Sequence, residues 1–242
     1  MINRSIKKII SILPVGLQQG LKRYQHGRQI AAGKFVGGEP EFDRLAEWVA
    51  AGDWVIDLGA NIGHYTHRLS DLAGPEGRVI AFEPMVRTFE LLSANVARFR
   101  HPNVSLINAA ASSSAGIARM DLPNFTTGLD NYYRASINAT GHHSILTLPV
   151  DNLQLHGKVT LVKIDVEGHE FEALQGMTEL LRRDRPTLIV ESSGDERVEQ
   201  LLTELGYQWT HTASSPNRVY IHIGAQAAVN PEPGSVSETS AA

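Results

Sequence analysis

The sequence predicts an α/β protein built on a mostly parallel β-sheet with helices on both faces. Two observations lead to this prediction. Short apolar runs alternate with segments of helical periodicity between Asp53 and Ile223, which is the pattern of repeated strand–helix–strand units. These apolar runs are nearly continuous and do not alternate with polar residues, which is typical of strands that are buried on both faces.

Each predicted strand is a short apolar run that a turn-forming or acidic residue ends. The five strands expected to be parallel are 54–58, 78–83, 103–107, 159–164 and 187–190. Helical periodicity predicts the helices 64–72, 86–99, 169–181 and 198–205. We expect two further runs, 207–209 and 219–223, to close the sheet as an antiparallel pair.

The composition is that of a globular protein of ordinary size. The chain has 242 residues, of which 42% are hydrophobic and 20% are charged, and one domain with extensions accounts for this length. The absence of cysteine excludes disulfide frameworks, thiolate metal sites and a cysteine nucleophile. It fits a reducing compartment, and we expect a cytoplasmic protein. A net charge of −4 gives no indication of a nucleic-acid partner.

The two ends of the chain differ from its middle. Residues 1–38 contain seven Lys and Arg residues and no Asp or Glu, and apolar residues recur there at helical spacing up to Pro14. We expect a basic helical extension that packs on the domain or on the other subunit of a homodimer. The alternative is a basic amphipathic helix lying on an anionic membrane surface. We expect residues 39–224 to form the domain and residues 225–242 to form a disordered tail.

The segment 57–63, Asp-Leu-Gly-Ala-Asn-Ile-Gly, joins the first strand to the first helix of the domain. Gly59 permits a tight turn after the strand. The missing side chain at Gly63 lets the helix pack closely or lets a ligand approach the backbone. The spacing differs from the phosphate-binding pattern G-x-G-x-x-G, and Asp57 would repel a pyrophosphate. A cationic ligand group, such as an amino-acid ammonium, suits Asp57 better.

Glu83 supplies the second half of this predicted ligand site. It lies 20 residues beyond Gly63, at the end of the second strand, where an acidic residue accepts hydrogen bonds from ribose hydroxyls. Together with Asp57 it predicts a nucleoside that carries a positive group and no phosphate. S-adenosylmethionine fits this description better than NAD, which predicts a methyltransferase. The alternatives are an NAD-dependent oxidoreductase on a similar sheet and a noncatalytic, membrane-associated binding module.

Four segments resemble the FkbM family of S-adenosylmethionine-dependent methyltransferases. They are residues 55–65, 79–84, 162–170 and 186–191. The third, Val-Lys-Ile-Asp-Val-Glu-Gly-His-Glu, is the most distinctive. The resemblance implies a class I methyltransferase (Rossmann-like) fold with a seven-stranded, mostly parallel sheet whose last strand is antiparallel. It also implies methylation of a hydroxyl group on a small molecule or sugar.

The resemblance further implies where the cofactor binds. The implied cofactor-binding residues are Asp57, Gly59, Ala60, Asn61, Gly63, Glu83, Ala109, Ala110 and Asp165. Asp57 would lie at the amino-acid end of the cofactor, Glu83 would bind its ribose, and residues 108–110 would lie by the adenine.

Methyl transfer to a hydroxyl needs a base near the acceptor oxygen, because an aliphatic hydroxyl is a poor nucleophile until its proton leaves. Asp165, at the end of the fourth strand, and His169 are joint candidates for this base. Glu191 ends the adjacent strand, so it and Asp165 either share a proton or hold a divalent cation such as Mg²⁺. We expect no metal, with Glu191 binding substrate hydroxyls. Glu167 and Glu170 have an alternative explanation as acidic caps of the next helix.

The segment 121–144 is long, polar and without clear periodicity. It lies between the third and fourth strands of the predicted sheet. We expect either a loop that covers the acceptor site or a plain surface excursion.

Overall fold

The computed structural model describes residues 14–121, 136–137, 141–191, 194–211 and 215–224. Its strands are β1 (Trp54–Leu58), β2 (Arg78–Phe82), β3 (Val104–Ile107), β4 (Ala110–Ala111), β5 (Gly116–Asp121), β6 (Ser136–Ile137), β7 (His143–Leu148), β8 (Val159–Ile164), β9 (Thr187–Glu191), β10 (Tyr207–His211) and β11 (Asn217–His222). Its helices are α1 (Val15–Ala31), α2 (Pro40–Arg44), α3 (His64–Ala73), α4 (Val86–Val96), α5 (Glu170–Gln175), α6 (Thr178–Asp184) and α7 (Glu196–Glu204), with short 3₁₀ turns at Leu45–Glu47 and Val150–Leu153.

The main sheet contains seven strands in the order β3-β2-β1-β8-β9-β11-β10. Neighbouring strands are parallel except at β11, which is antiparallel to both β9 and β10. This confirms the predicted seven-stranded sheet with an antiparallel last strand. The strand order changes direction between β1 and β8, and ligands of such sheets bind at the carboxyl ends of the strands beside this point.

The sheet is buried on both faces, as the apolar runs predicted. Ile56 and Leu58 of β1 belong to the core on the face that α5, α6 and α7 cover. Val55 belongs to the core on the opposite face, together with Tyr65 and Leu69 of α3. Because successive side chains of a strand point to opposite faces, every residue of a central strand must be apolar unless it has a polar partner.

A second sheet, with the order β4-β7-β5-β6, was not predicted. Its strands β5 and β7 pair antiparallel, and they bury only alternate side chains: Ile117 is 74% exposed, whereas Met120 and Ile145 are buried. Such one-sided strands are rich in polar residues, so they lack the nearly continuous apolar runs from which the strands of the main sheet are predicted. Most of the predicted loop 121–144 that is not in these strands lies outside the described residues.

The prediction of a single helix over residues 169–181 is wrong, because the structure has two helices there, α5 and α6. Gly176 follows α5, and a Cβ at this position would overlap the backbone carbonyl of Ser112. Asp151 accepts hydrogen bonds from the backbone N–H groups of Glu179 and Leu180, each at 3.0 Å, and so caps the first turn of α6. The interruption therefore results from contacts with residues that are distant in sequence.

Helix α1 and the residues after it pack against the domain. Gln19 donates to the carbonyl oxygen of Arg87 at 3.4 Å, and His26 Nδ1 lies 3.2 Å from Asn95 Nδ2. Phe35 is 1% exposed. The predicted helical pattern before Pro14 and the predicted tail 225–242 lie outside the described residues.

Candidate functional site

A cavity of about 320 Å³ opens at the carboxyl ends of β1, β2 and β8. It therefore lies where the strand order predicts a ligand. The predicted site residues that line it are Asp57, Gly59, Ala60, Asn61, Glu83, Ala109, Ala110, Asp165 and His169. Gly63 and Glu191 are not among its lining residues.

The turn after β1 has the tight geometry that its sequence predicts. Gly59 has a φ of +78° and Asn61 a φ of +51°, so both lie in the left-handed region. A Cβ at Gly59 would overlap the carbonyl oxygen of Asp165. The backbone N–H groups of Gly59 and Ala60 both donate to the carbonyl oxygen of Phe82, at 3.0 and 2.8 Å. The turn is therefore clamped between the ends of β2 and β8.

Gly63 does not line the cavity, although the resemblance implies that it binds the cofactor. In the structure it lies where two helices pack against each other. It is the N-cap of α3 with a φ of +96°, and a Cβ there would lie 2.7 Å from Leu92 Cδ1 of α4. Of the two explanations that the sequence offered for the missing side chain, close helix packing is the one that the geometry supports.

Glu83 is 6% exposed, and backbone groups hold its carboxylate. Oε2 accepts from the N–H of Asn61 at 3.0 Å, and Oε1 accepts from the N–H of Met85 at 2.9 Å. Burial raises the pKa of Glu83 to about 7, although these two N–H donors oppose the shift. Each carboxylate oxygen can accept a further hydrogen bond, so Glu83 can still bind a ligand hydroxyl.

Asp57 is fully buried in the wall of the cavity. Its Oδ2 accepts from the hydroxyl of Thr66 at 2.6 Å, whereas Oδ1 has no hydrogen-bond partner among the described residues. Burial raises the pKa of Asp57, and the nearby Lys163 opposes this shift. An unpartnered buried oxygen in a cavity wall is a place for a ligand donor.

Asp165 and Glu191 lie side by side at the ends of β8 and β9. The register pairs Ile164 with Val190, so the next residue on each strand meets its counterpart, and the two carboxyl groups are hydrogen-bonded. Burial and the charge of Asp165 raise the pKa of Glu191 to about 8. Burial opposes ionisation of Asp165, but the charge and hydrogen bond of the Lys163 ammonium, together with the hydrogen bond from Glu191, lower the pKa of Asp165. At neutral pH the shared proton therefore belongs to Glu191.

Lys163 is a site residue that the sequence interpretation missed. It is only 3% exposed, and its Nζ lies 2.8 Å from Asp165 Oδ2 and 4.5 Å from the centre of the Tyr65 ring. Burial alone would lower its pKa, but the carboxylates of Asp165 and Asp57 raise it. A single Lys inside the apolar run 159–164 was the signal, since a buried strand holds a charge only beside an opposite one.

Asp165, Glu167 and Glu191 can each place an oxygen within 4.8 Å of the others, which resembles a divalent-cation site. Two features of the cluster oppose a metal there. Lys163 already neutralises Asp165, and Glu191 holds a proton at neutral pH. The absence of a metal remains a prediction, which activity lost in EDTA and restored by Mg²⁺ would contradict.

His169 is the N-cap residue of α5 and faces the cavity. Its Nε2 lies 3.0 Å from Ser112 Oγ, and its Nδ1 lies 3.5 Å from Glu172 Oε2. Burial lowers the pKa of His169, although Glu172 and Glu170 oppose the shift, so the ring is neutral at pH 7. A proton on Nδ1, which faces Glu172, makes Nε2 the acceptor of the hydrogen bond from the Ser112 hydroxyl, and a substrate hydroxyl that displaces Ser112 can give its proton to Nε2.

The two glutamates beside His169 have different positions. Glu170 is 1% exposed, and its Oε1 accepts from the N–H of Gly168 at 3.0 Å, in agreement with the capping explanation. Glu167 precedes the helix, has a φ of +53° and lines the cavity. Positive φ at residues other than glycine is uncommon and often occurs at functional sites.

The residues before the domain also form a wall of the cavity, which the sequence did not indicate. Residues 36–39 line it, so the predicted boundary after residue 38 passes through the site. Glu41, which is fully buried, holds this segment in place. Its carboxylate accepts from Tyr65 Oη at 3.2 Å, from Ser215 Oγ at 2.7 Å and from Asn217 Nδ2.

The end of the cavity away from Asp165 is apolar. Met85 of the β2–α4 connection and Met120 of β5 line it, and they pack with Ala110 and Ile145 in one cluster. Ile137, from the predicted loop 121–144, also lines the cavity. The second sheet therefore covers the end of the cavity near β2 and β3.

The chain is similar to known proteins in sequence and in fold. The model of one family, described as "Methyltransferase FkbM domain", matches residues 57–209. "Hexuronic acid methyltransferase AglP" of Haloferax volcanii is 33% identical over 173 residues, which are 69% of each chain. The structure of "Methyltransferase FkbM" from Methylobacillus flagellatus aligns with a TM-score of 0.51 and 18% identity over 70% of this chain and 43% of that one. Aeropyrum pernix fibrillarin, solved with natively bound S-adenosyl-L-methionine, has a TM-score of 0.47 and 17% identity over 72% of this chain and 68% of its own.

Proposed function

This chain belongs to the FkbM methyltransferase family, and from that premise we propose that it methylates a sugar hydroxyl, with uronic acids as the substrate class. The family confirms the predicted class I methyltransferase fold and the dependence on S-adenosylmethionine. It sets aside the NAD-dependent oxidoreductase and the noncatalytic binding module. The substrate class in this proposal is inferred from the relative of Haloferax volcanii, whose name states that it methylates a hexuronic acid.

The residues of the cavity fit S-adenosylmethionine. Glu83 offers a carboxylate for two ribose hydroxyls, and the unpartnered Oδ1 of Asp57 offers an acceptor for an ammonium. The apolar end around Met85 and Met120 suits an adenine ring. The volume of about 320 Å³ lies at the lower end of the range of small-molecule sites, roughly 300–1,000 Å³.

One observation carries the proposal: the neutral imidazole of His169 and the carboxylate of Asp165 line the same cavity, and Asp165 has the proton-bearing Glu191 beside it, outside the lining. The cofactor supplies an electrophilic methyl group on sulfur, so an oxygen–carbon bond forms while the sulfur–carbon bond breaks. The acceptor hydroxyl must also lose a proton, and we assign this proton to His169 Nε2. Glu172, beside Nδ1, stabilises the imidazolium that results.

Asp165 is the weaker of the two predicted bases. Its carboxylate already accepts from Lys163 and from the proton that it shares with Glu191, and its lowered pKa makes it a poor proton acceptor. Asp165, which lines the cavity, instead provides an acceptor for a sugar hydroxyl, and Glu191 lies beside it as the holder of the shared proton.

The location and the partners belong to the proposal as well. We expect a cytoplasmic enzyme without a nucleic-acid partner, in agreement with the absence of cysteine and the net charge of −4. Within the described residues, no helix has the length and apolar character that crossing a membrane requires.

The experiment is an acceptor screen with S-adenosylmethionine that carries a radiolabelled methyl group. The panel contains glucuronic and galacturonic acid glycosides, the matching neutral hexosides and a catechol. We expect label on the uronic acids that survives mild alkali, because a methyl ether is stable there and a methyl ester is hydrolysed. Alkali-labile label would place the methyl group on the carboxylate and contradict the hydroxyl assignment. Transfer to the catechol alone would contradict the proposal that the acceptor is a sugar.

A further inference from the structure

Helix α1 presents an apolar ridge to solvent. Leu17, Leu21 and Tyr24 follow one another at helical spacing and are 58%, 48% and 66% exposed. The opposite face of the helix, with Gln19 and His26, packs on the domain. These three exposed side chains, the α1 ridge, therefore point away from the folded body of the protein. A surface of this kind usually contacts something apolar.

The charged residues that neighbour the α1 ridge in the sequence are all basic. Residues 1–38 contain seven Lys and Arg residues and no acidic one. Arg28 lies one turn beyond Tyr24 on the same face and is exposed, as is Lys34. The neighbouring carboxylate of Glu90 on α4 is paired with Arg23 at 3.7 Å.

From this combination we propose that the α1 ridge docks on the surface of an anionic lipid bilayer. An apolar stripe with basic flanks lies in the interface, where apolar side chains enter the acyl boundary and cations remain at the phosphates. The sequence before α1 continues the pattern, since its apolar residues recur at helical spacing among basic ones: Ile2, Ile6, Ile9, Ile10 and Leu13 beside Arg4, Lys7 and Lys8. Binding is peripheral, and it is independent of the proposed acceptor.

A second copy of the chain fits this surface less well. Two α1 ridges in contact would bring the exposed Arg28 of each copy close to that of the other, within the distance of about 8 Å over which like charges repel at physiological ionic strength. Three exposed side chains also fall short of a stable protein interface, which buries on the order of 1,200–2,000 Å². An anionic bilayer offers phosphates to the basic side chains and acyl chains to the apolar ones.

The experiment is flotation of the full chain with phosphatidylcholine vesicles, with and without 30% phosphatidylglycerol. We expect flotation only with the anionic vesicles, and weaker flotation at high salt because screening reduces the attraction. The triple variant Leu17→Ser, Leu21→Ser, Tyr24→Ser should reduce the bound fraction at least about tenfold. All three side chains are exposed, so the variant should keep its unfolding temperature and its affinity for S-adenosylhomocysteine.

The matched control is the double variant Ile117→Ser, Leu146→Ser. These residues pair across β5 and β7 and are 74% and 46% exposed, so the control removes apolar surface elsewhere. It should float like the wild type. Equal losses in the two variants, or no flotation of the wild type, would overturn the proposal. A triple variant that changes the mass of the protein in solution, without any vesicle binding by the wild type, would assign the α1 ridge to self-association.

Discussion

The two halves of the site hold their carboxylates in different ways. Near β2, backbone N–H groups of Asn61 and Met85 fix Glu83, and these donors do not titrate. Near β8 and β9, Asp165 and Glu191 are held by Lys163 and by a shared proton, so their arrangement changes with protonation. The first half therefore presents a carboxylate in a fixed position to a ligand, whereas the second half can take up or release a proton. The clamped turn at Gly59 separates them.

The largest effect is expected at Gly59, where the two halves touch. In Gly59→Ala the new Cβ overlaps the carbonyl oxygen of Asp165 and the residue keeps a φ of +78°. We expect a loss of stability on the order of 3 kcal/mol or more and no measurable binding of S-adenosylhomocysteine. Thermal unfolding and calorimetric titration measure the two effects.

The control for this variant is Gly168→Ala. Gly168 also has a positive φ, of +88°, but has open space around the position of a Cβ. Its substitution should cost only the backbone strain, about 1–2 kcal/mol. Equal stability of the two variants would show that the contact between the turn and β8 is unimportant.

The next effect is expected in turnover at His169. In His169→Ala the base is lost, so kcat should fall about 10²–10⁴-fold while the affinity for S-adenosylhomocysteine stays unchanged. The lowered pKa of His169 predicts that wild-type kcat/KM is constant near pH 7 and declines only below pH 6.5, the ordinary pKa of histidine. Radiolabel transfer across this pH range measures both effects.

Glu172→Gln is the matched control, because it keeps the base and removes the carboxylate that raises the pKa of His169. The acidic decline should move to lower pH. If the decline of kcat/KM at acidic pH occurred at the same pH in Glu172→Gln as in the wild type, and also occurred in His169→Ala, the base would be Asp165.

A smaller effect is expected for the affinity of the cofactor at Glu83. Glu83→Gln should weaken S-adenosylhomocysteine binding about 10–100-fold, since hydrogen bonds to a charged group contribute roughly 1.5–3 kcal/mol. Because the pKa of Glu83 is raised to about 7, the ionised form increases as pH rises, and wild-type affinity should rise between pH 6 and 8. The variant, and not the surface control Glu90→Gln, should lose this dependence. A wild-type affinity independent of pH would contradict the ribose assignment.

The smallest effect is expected in stability at Glu191. Its pKa in the folded state, about 8, lies above its ordinary value of 4.5, so the contribution of protonated Glu191 is complete below pH 4.5 and is lost as pH rises through 8. Gln mimics the protonated form, so Glu191→Gln should melt a few degrees above the wild type at pH 9, roughly 2–4 °C. The two proteins should melt together at pH 5. A difference that does not change with pH would exclude the shared proton.

The sequence by itself determined the features that depend on local periodicity. The strands at 54–58 and 159–164 are nearly continuous apolar runs, and the turn at Gly59 needs a positive φ that glycine adopts without cost. The place of Glu83 followed from its distance along the chain to Gly63. These signals are local, because they arise from the pleat of a strand, the pitch of a helix and the conformational freedom of single residues.

Only the tertiary structure decided which charges meet. Glu41 contacts Asn217, 176 residues away, and no local pattern contains such a pair. Lys163 and Asp165 are close in sequence, but the effect of Lys163 on the proton of Glu191 depends on the register between β8 and β9. Burial then sets the pKa values, because the cost of a charge depends on everything packed around it. The sequence therefore predicts the frame of the site, whereas the protonation within it is a property of the folded chain.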